Sequence, residues 1–263
     1  MLLLRLLITP LAVLAASAAQ RRFGPTVGGR IIALPLTTGP FLLLLGMQSG
    51  STATAHAAAG VVFGELSVAA FCACYGLLAR REGVRSALTT SVVVALLCSA
   101  LAVLGHGLAI WLAAPMVIGT CVAFAVMQRP AGDRSGVRAR TARAWEVPVR
   151  MVLTTAIVAT LLGLSTVLGP VVAGTLSTLP VILSVMIPAT HVSDGPGAAT
   201  AIARGTLITL PATTASVCVV SLGLVPLGPL VAVGLALLAL IAIDLAAVNA
   251  IGTYDKRVAP APV

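Results

Sequence analysis

Long apolar runs recur along the chain and are separated by short stretches rich in arginine, glycine and proline. A helix that crosses a bilayer needs about 20 mostly apolar residues, so we predict about nine membrane-spanning helices (eight to ten) joined by short loops. Their approximate ranges are 2–20, 30–48, 57–79, 86–104, 107–127, 147–168, 170–190, 198–222 and 226–251.

The composition excludes the other broad classes of fold. Of the 263 residues, 59% are hydrophobic and 9% are charged, and the mean hydropathy is +1.11. Soluble domains carry about 25% charged residues, so a water-soluble globule is excluded. Aromatic residues make up 3%, which is too few for the aromatic girdles of a porin-like barrel. The predicted fold class is an all-α integral membrane protein.

One polar stretch near the middle divides the chain. It lies between Arg129 and Arg150 and contains six arginines against two acidic residues. We therefore predict three parts: a first membrane repeat of five spans (1–128), a basic cytoplasmic loop (129–146) and a second membrane repeat of four spans (147–263).

The distribution of basic residues predicts the orientation. The net charge is +9, and lysine and arginine concentrate in the cytoplasmic loops of membrane proteins. With the N-terminus outside, nine alternating spans place every basic residue except Arg5 on one side. This predicts a multi-pass protein of the bacterial cytoplasmic (inner) membrane, with the C-terminus in the cytoplasm. Its environment is the lipid bilayer, and the positive charge does not indicate nucleic-acid binding.

Residues 1–20 also resemble a cleavable signal peptide, because they end in a run of small residues. Cleavage would move Arg80, Arg81 and Arg85, together with the central arginines, to the outer side. That arrangement violates the same charge rule, so we interpret residues 1–20 as a retained first span.

The two halves share a series of matching positions. With a five-residue gap, the segment 36–40 aligns with the segment 176–180. Because the first half has an odd number of spans, equivalent spans run in opposite directions, as in the inverted-topology repeats of many secondary transporters. The second half lacks a counterpart of the fifth span, so the repeats are unequal. A shift of 145 residues also aligns three pairs of glycines: Gly24 with Gly169, Gly29 with Gly174 and Gly60 with Gly205.

Two predicted spans contain helix-breaking and hydroxyl residues at corresponding places. Proline removes a backbone donor, and freed backbone groups inside a membrane persist only where protein or water satisfies them. Broken helices in both repeats indicate a central substrate site, whereas the alternative is that small residues only let the helices pack closely. The candidate substrate-binding residues are Pro35, Thr37, Thr38, Pro40, Ser177, Thr178 and Pro180.

Glu65 and Asp244 are the only acidic residues well inside predicted spans. An intramembrane carboxylate is energetically costly and is commonly a site of proton or ion coupling. The alternative is a shallow carboxylate bonded to backbone or hydroxyl groups. His56 and His191 follow the two broken spans, and imidazole titrates near neutral pH. Each is a candidate proton relay or substrate contact, or an interfacial histidine in wet surroundings.

Other residues have several interpretations. Arg204, early in the eighth span, can pair with Asp194, extend to the cytoplasmic interface or bias the site toward anions. The motif from Gly60 to Gly64 is typical of helix packing. The five cysteines lie inside apolar runs without the spacing of metal ligands, so we predict no metal and no cofactor.

Residues 28–40 combine a glycine-rich entry with the signature Leu-Pro-Leu-Thr-Thr-Gly-Pro. In this segment the chain resembles an uncharacterised family of small polytopic integral membrane proteins of GC-rich bacteria. The likeness covers mainly the first 80 residues or so. The resemblance implies a membrane location and no known activity.

The leading functional hypothesis is a small secondary transporter that works by alternating access. Its substrate would be a small molecule or an ion, coupled to protons or another ion. One alternative is a non-transporting membrane subunit or scaffold, and either protein can form a homo-oligomer. A third is a membrane-embedded enzyme, but the segment 191–194 (His-Val-Ser-Asp) does not by itself define a catalytic triad. No Walker loop is present in the sequence, and we predict that the protein is not an enzyme.

Overall fold

The computed structural model describes residues 2–35, 38–104, 110–127, 148, 152, 156, 175 and 177–258. Within these ranges the chain forms helices and no strand. The helices with defined bounds are α1 (Leu2–Phe23), α2 (Pro25–Ala33), α3 (Thr38–Leu78), α4 (Val84–Leu104), α5 (Ile110–Met127), α6 (Val181–Asp194), α7 (Pro196–Leu227) and α8 (Pro229–Val258).

Four helical stretches in the described part are long and apolar enough to cross a membrane. This confirms the prediction of an all-helical chain with membrane-spanning segments. The number of nine spans stays a prediction, because the loop 129–146 and most of the span 147–168 lie outside the described residues. The four stretches are Ser49–Leu78, Val84–Leu104, Pro196–Leu227 and Pro229–Asp255.

Single glycines separate consecutive helices at four places. Each has a φ between 78° and 92° and an extended ψ, a backbone region that residues with a Cβ rarely adopt. After three of them a proline occupies the first helical position. An N–H at that position has no acceptor within the helix, so its absence in proline costs no hydrogen bond. The four glycines are Gly24, Gly50, Gly195 and Gly228.

Gly50 divides α3 into an N-terminal part, α3a (38–49), and a C-terminal part, α3b (51–78). The sequence predicts a loop from the end of one span at 48 to the start of the next at 57. This prediction is wrong, because the helix resumes directly after Gly50. The physical reason is that one glycine supplies the whole turn, while the alanines that follow it are strong helix formers.

The long helices α3b and α7 form an antiparallel pair at the centre of the fold. The Ser221 hydroxyl donates to the Ala55 carbonyl at 2.9 Å, and the Thr214 hydroxyl lies 2.5 Å from a Glu65 carboxyl oxygen. From the first contact to the second, the residue number rises along α3b and falls along α7, so the two helices run in opposite directions.

Burial separates this central pair from two outer helices. Within an apolar window of 18 residues in each helix, 72% of the residues are buried in α3b and 61% in α7, against 28% in α4 and 17% in α8. Large apolar side chains of α4 and α8, such as Leu97, Leu101, Leu230 and Leu238, are exposed. In a bilayer these side chains contact lipid, so α3b and α7 lie inside the bundle.

Short or broken elements of each half pack on the long helix of the other half. A Cβ at Gly29 of α2 would collide with the Ile202 carbonyl of α7, and a Cβ at Gly205 would collide with the Thr26 carbonyl. The helix backbones therefore touch at this crossing, as small residues permit in membrane proteins.

A second crossing joins Thr175 and Thr178 to α3b. The Thr175 hydroxyl donates to the Gly60 carbonyl at 3.0 Å, and a Cβ at Gly64 would collide with the Thr178 hydroxyl. The packing role predicted for Gly60 and Gly64 is therefore seen in the structure.

Several helix ends meet at one end of the bundle, which we call the basic end. The Gln20 amide donates to the Thr190 hydroxyl at 3.0 Å, and the Tyr75 hydroxyl and His191 Nδ1 share a hydrogen bond of 3.1 Å. These contacts join the C-terminal ends of α1, α3b and α6. The exposed arginines that follow α1 and α3b or lie at their ends define this end: Arg21, Arg22, Arg80, Arg81 and Arg85.

Gly50 and Gly195 lie at opposite ends of the bundle. Gly195 directly follows α6, whose last turn contains His191 at the basic end. Gly50 directly precedes α3b, whose first turns contact the C-terminal part of α7 through Ala55 and Ser221. Since α3b and α7 are antiparallel, that contact lies far from the basic end.

Candidate functional site

Glu65 lies near the middle of α3b and is 3% exposed, the one buried acidic residue in the described part of the chain. Its partner is the Thr214 hydroxyl, at 2.5 Å, near the middle of α7. Among the described residues no lysine, arginine or histidine pairs with it. A carboxyl group is therefore enclosed between the two central helices, with a neutral hydroxyl as its hydrogen-bond partner.

The first helix break lies beside this pair. Helix α2 ends at Ala33, and the chain continues in a non-helical turn through Leu34 and Pro35. The carbonyl of Ala33 accepts a hydrogen bond of 2.8 Å from the Thr213 hydroxyl. Because Thr213 is next to Thr214 in α7, the broken end of α2 is held close to the partner of Glu65.

The second break approaches the same place from the other side. Residues 178–180 interrupt the helix before α6, and the Thr178 hydroxyl donates to the Thr175 carbonyl at 2.7 Å. Thr178 also packs directly on Gly64, with no room for a side chain between them. Gly64 precedes Glu65, so both breaks flank the buried carboxyl group. We call Ala33, Gly64, Glu65, Thr178, Thr213 and Thr214 the central site.

The other candidate substrate-binding residues lie at the two breaks with varied burial. Thr38 is buried at the start of α3a, whereas Pro35, Ser177 and Pro180 are half-buried. Thr37 and the side chain of Pro40 lie outside the described residues. The structure therefore brings Thr178 to Gly64, the residue before Glu65, and the first break reaches the central site through the Ala33 carbonyl.

Asp244 has a different environment from Glu65. Its carboxylate forms an ion pair of 2.6 Å with Arg30 of α2 and accepts a 2.8 Å hydrogen bond from the Thr209 hydroxyl. Arg30 Nε also approaches Thr209, at 3.4 Å. The side chains of Arg30 and Asp244 are 28% and 18% exposed. Arg30 compensates the charge of Asp244, and the ion pair links α8 to α2.

The two candidate histidines lie at opposite ends of the bundle, away from the central site. His56 is exposed in the first turns of α3b. His191 bonds to Tyr75 and meets its ring edge-on, at 5.9 Å between centroids. The Ser193 hydroxyl is directed to the Thr190 carbonyl, so His191 and Ser193 have separate partners.

Arg204 is buried and holds three helices together. Its guanidinium donates to both carboxylate oxygens of Asp255, at 2.8 and 2.9 Å, and its Nε donates to the Ala125 carbonyl at 2.9 Å. The predicted pairing with Asp194 is wrong, because Asp255 of α8 lies alongside α7 while Asp194 lies beyond the turn at Gly195. Both contacts with Asp255 come from one guanidinium nitrogen, Nη2, and bonds between two charged groups are stronger than neutral ones.

Sequence reasoning missed several residues that the site depends on. Thr213, Thr214, Arg30 and Asp255 have partners far away along the chain, which no local pattern indicates. One signal was available: positions 206, 209, 213 and 216 of α7 carry hydroxyl residues at spacings of three and four, so that they share a helix face, although Thr214 lies outside it. The buried hydroxyl residues of α7 are Thr200, Thr206, Thr209, Thr213, Thr214 and Ser216.

No group of three or more histidine, cysteine, aspartate or glutamate residues lies together within the described ranges. No disulfide joins the cysteines of the described ranges, and Cys72 and Cys121 are buried. We therefore identify the central site by its carboxyl, hydroxyl and carbonyl groups.

A comparison of the chain with protein-family models, curated proteins and solved structures finds no match. The resemblance carried by residues 28–40 stays a prediction.

Proposed function

We propose that the protein is a small secondary transporter of the cytoplasmic membrane that couples the movement of its substrate to proton binding at Glu65. One observation carries the proposal: a buried carboxyl group, without a cationic partner among the described residues, lies between two helix breaks at the middle of the bundle. An ionisable residue inside a membrane is costly and is by default functional. Its substrate is a small molecule or an ion.

An inverted repeat is the architecture that we propose for this transporter. Gly50 and Gly195 are 145 residues apart (195 − 50), the shift that aligns the two halves, and have similar backbone angles, φ 80° with ψ 177° and φ 90° with ψ 175°. The helices that follow them, α3b and α7, are antiparallel, as equivalent helices of inverted repeats must be. The reciprocal crossings of α2 on α7 and of Thr175 and Thr178 on α3b give further support.

The basic end is the cytoplasmic end in this proposal. Arginines of α1, of the turn after α3b and of α4 lie together there, in agreement with the positive-inside rule. The N-terminus is then outside and the C-terminus is in the cytoplasm.

Alternating access follows from rocking of one repeat against the other around the central site. Glu65 binds the coupling proton, and hydroxyl and carbonyl groups at the two breaks provide contacts for the substrate. Asp244 was one of the two candidate coupling carboxylates. We assign it instead to the ion pair with Arg30, because its charge is already compensated.

The proposal is tested with purified protein in liposomes that contain a pH-sensitive dye. A panel of small organic acids, amines, amino acids and inorganic ions is added outside, and proton movement is recorded. We expect a substrate-dependent pH change with the wild type and no change with Glu65→Gln, which cannot bind a proton.

Glu82→Gln is the matched control, because Glu82 is exposed near the basic end. This variant should leave the substrate-dependent pH change intact. If Glu65→Gln still moves protons with substrate at the wild-type rate, proton coupling at Glu65 is wrong.

A further inference from the structure

The Thr214 hydroxyl lies between two acceptors at the centre of the molecule. Its oxygen is 2.5 Å from Glu65 Oε2 and 2.9 Å from the carbonyl oxygen of Leu210, one turn earlier in α7. A threonine hydroxyl donates one proton and can accept with its lone pairs. If Thr214 donates to Leu210, the contact with Glu65 needs a second proton, which a protonated carboxyl group provides.

The two protonation states of Glu65 therefore require two arrangements of this hydroxyl. With the proton present, Glu65 donates to Thr214 and Thr214 donates to the Leu210 carbonyl. When the proton leaves, Glu65 can only accept, so the Thr214 hydroxyl turns toward it. Bonds to a charged group are about twice as strong as neutral ones, so the Leu210 carbonyl loses this donor.

This exchange takes place at a weak point of α7. Pro211 directly follows Leu210 and has no amide hydrogen, so one backbone hydrogen bond of the helix is absent there. Helices bend most readily at proline and where a side chain enters the backbone ladder. Flanking hydroxyls connect this point to the first break and to Asp244: Thr213 bonds to Ala33 and Thr209 to Asp244.

We infer that Thr214 is a positioning residue that changes its hydrogen-bond acceptor when Glu65 gains or loses a proton, and thereby changes the bend of α7 at Pro211. The inference rests on the proposed function, since it describes how proton binding at Glu65 acts on the helix that holds the first break. The step is balanced: one proton leaves the carboxyl group for the transport pathway, and the hydroxyl proton only changes its acceptor.

The surroundings of Glu65 favour control by this hydroxyl. Among the described residues, the titratable groups near Glu65 are the thiols of Cys121 on α5 and Cys218 on α7. In the described residues, the ion pairs of Arg30 and Arg204 involve other carboxylates. Thr214 is thus the group in direct hydrogen-bonding contact with Glu65.

The first measurement is the pH dependence of carbodiimide labelling, which needs no substrate. Dicyclohexylcarbodiimide reacts with protonated carboxyl groups in apolar surroundings, and mass spectrometry of the Glu65 peptide gives the labelled fraction in purified, liposome-embedded protein. We expect the labelling midpoint of Thr214→Val to move by about one pH unit to higher pH, because the carboxylate loses its donor. Thr214→Ser, which keeps the hydroxyl, should retain the wild-type midpoint.

Thr200→Val is the matched control for the loss of a threonine hydroxyl. Thr200 lies in the same helix and bonds to the carbonyl four residues earlier, that of Pro196, at 2.9 Å. Thr200→Val should leave the labelling midpoint unchanged. A wild-type midpoint for Thr214→Val would overturn the inference.

The second measurement follows the bend of α7. Spin labels at two exposed positions, Gly197→Cys and Val225→Cys in a background without native cysteines, report the distance between the ends of the helix. We expect a pH-dependent distance in the wild type and in Thr214→Ser, and a loss of that dependence in Thr214→Val. A distance independent of pH in the otherwise wild-type protein contradicts the inference.

The two proposals fail separately. If no substrate moves protons but labelling and distance follow pH as expected, the inference about Thr214 stands and the transport function is wrong. If Glu65→Gln abolishes proton coupling while Thr214→Val behaves like the wild type, the transport function stands and the inference is wrong.

Discussion

At the scale of single residues, glycine and threonine control how the helices of this protein approach each other. Gly29 and Gly205 let the backbones of α2 and α7 touch. Threonine hydroxyls of α7 bond to groups on α2, α3 and α8. Interfaces of this kind replace hydrophobic association inside a membrane, where lipid is as apolar as leucine. They are therefore sensitive to small changes in side-chain volume.

Adding one methyl group at the crossing of α2 and α7 is expected to destabilise the fold. In Gly205→Ala the new Cβ meets the Thr26 carbonyl, a backbone atom that cannot move aside alone. Overpacking of this kind costs about 1–3 kcal/mol, so the midpoint of thermal unfolding in detergent, followed by circular dichroism, should fall by several degrees.

Gly234→Ala provides the comparison, because nothing lies within 4 Å of a Cβ at that position of α8. Alanine is the better helix former by about 1 kcal/mol, so this variant should be as stable as the wild type or more so. Equal losses in both variants would show that the crossing of α2 and α7 is looser than described.

At the scale of elements, α2 is a nine-residue helix, too short to be stable by itself. It is held between α1, α7 and α8 by the glycine crossing and by the ion pair of Arg30 with Asp244. The role of Asp244 thus belongs to the packing of elements. The same acid inside an apolar run looks like a coupling site until its partner is known.

A double-mutant cycle separates these two roles of Asp244. Asp244→Asn and Arg30→Gln should each lower the free energy of unfolding by about 1–2 kcal/mol, below the cost at fully buried pairs because both side chains are partly exposed. The double variant should lose less than the sum, since the interaction is removed only once. Reversible unfolding in mixed micelles provides the measurement.

Proton coupling is the second readout of this cycle. Asp244→Asn should still move protons with substrate in liposomes, in contrast to Glu65→Gln. Loss of proton coupling in a folded Asp244→Asn protein would show that Asp244 takes part in proton transfer.

At the scale of the whole molecule, the antiparallel pair of α3b and α7 determines where everything else lies. Their crossing places Glu65 at the centre, the arginines at one end and the turn at Gly50 at the other. Equivalent glycine turns at opposite ends are what an inverted repeat requires. In the proposed arrangement, the orientation in the membrane follows from the positive-inside rule.

Accessibility of single cysteines tests this arrangement in cells. In a background without native cysteines, Ser51→Cys and Gly197→Cys place thiols at exposed positions next to the two turns. A membrane-impermeant maleimide should label Ser51→Cys in intact cells and Gly197→Cys only after permeabilisation.

Arg80→Cys, exposed at the basic end, should behave like Gly197→Cys and serves as the control. Labelling of Ser51→Cys and Gly197→Cys from the same side would contradict the inverted repeat and remove the main support for alternating access.

The all-helical fold with long apolar helices could be predicted from the sequence, because apolar runs of bilayer length are a local property. Glu65 could be recognised in the same way, as an acid within an apolar run. The loop predicted between 48 and 57 is a turn at Gly50 alone. A single glycine within a helix-forming segment carries too little local signal to predict how short the turn is.

The partners of the charged and polar groups came only from the tertiary structure. Thr214 is 149 positions from Glu65, Arg30 is 214 positions from Asp244, and Asp255 is 51 positions from Arg204. Inside a membrane an acid is equally conspicuous in the sequence whether it is paired with a cation or enclosed with a hydroxyl. Which of these it becomes depends on the helix that packs against it, and that is why Glu65 and Asp244 could not be told apart until the fold was known.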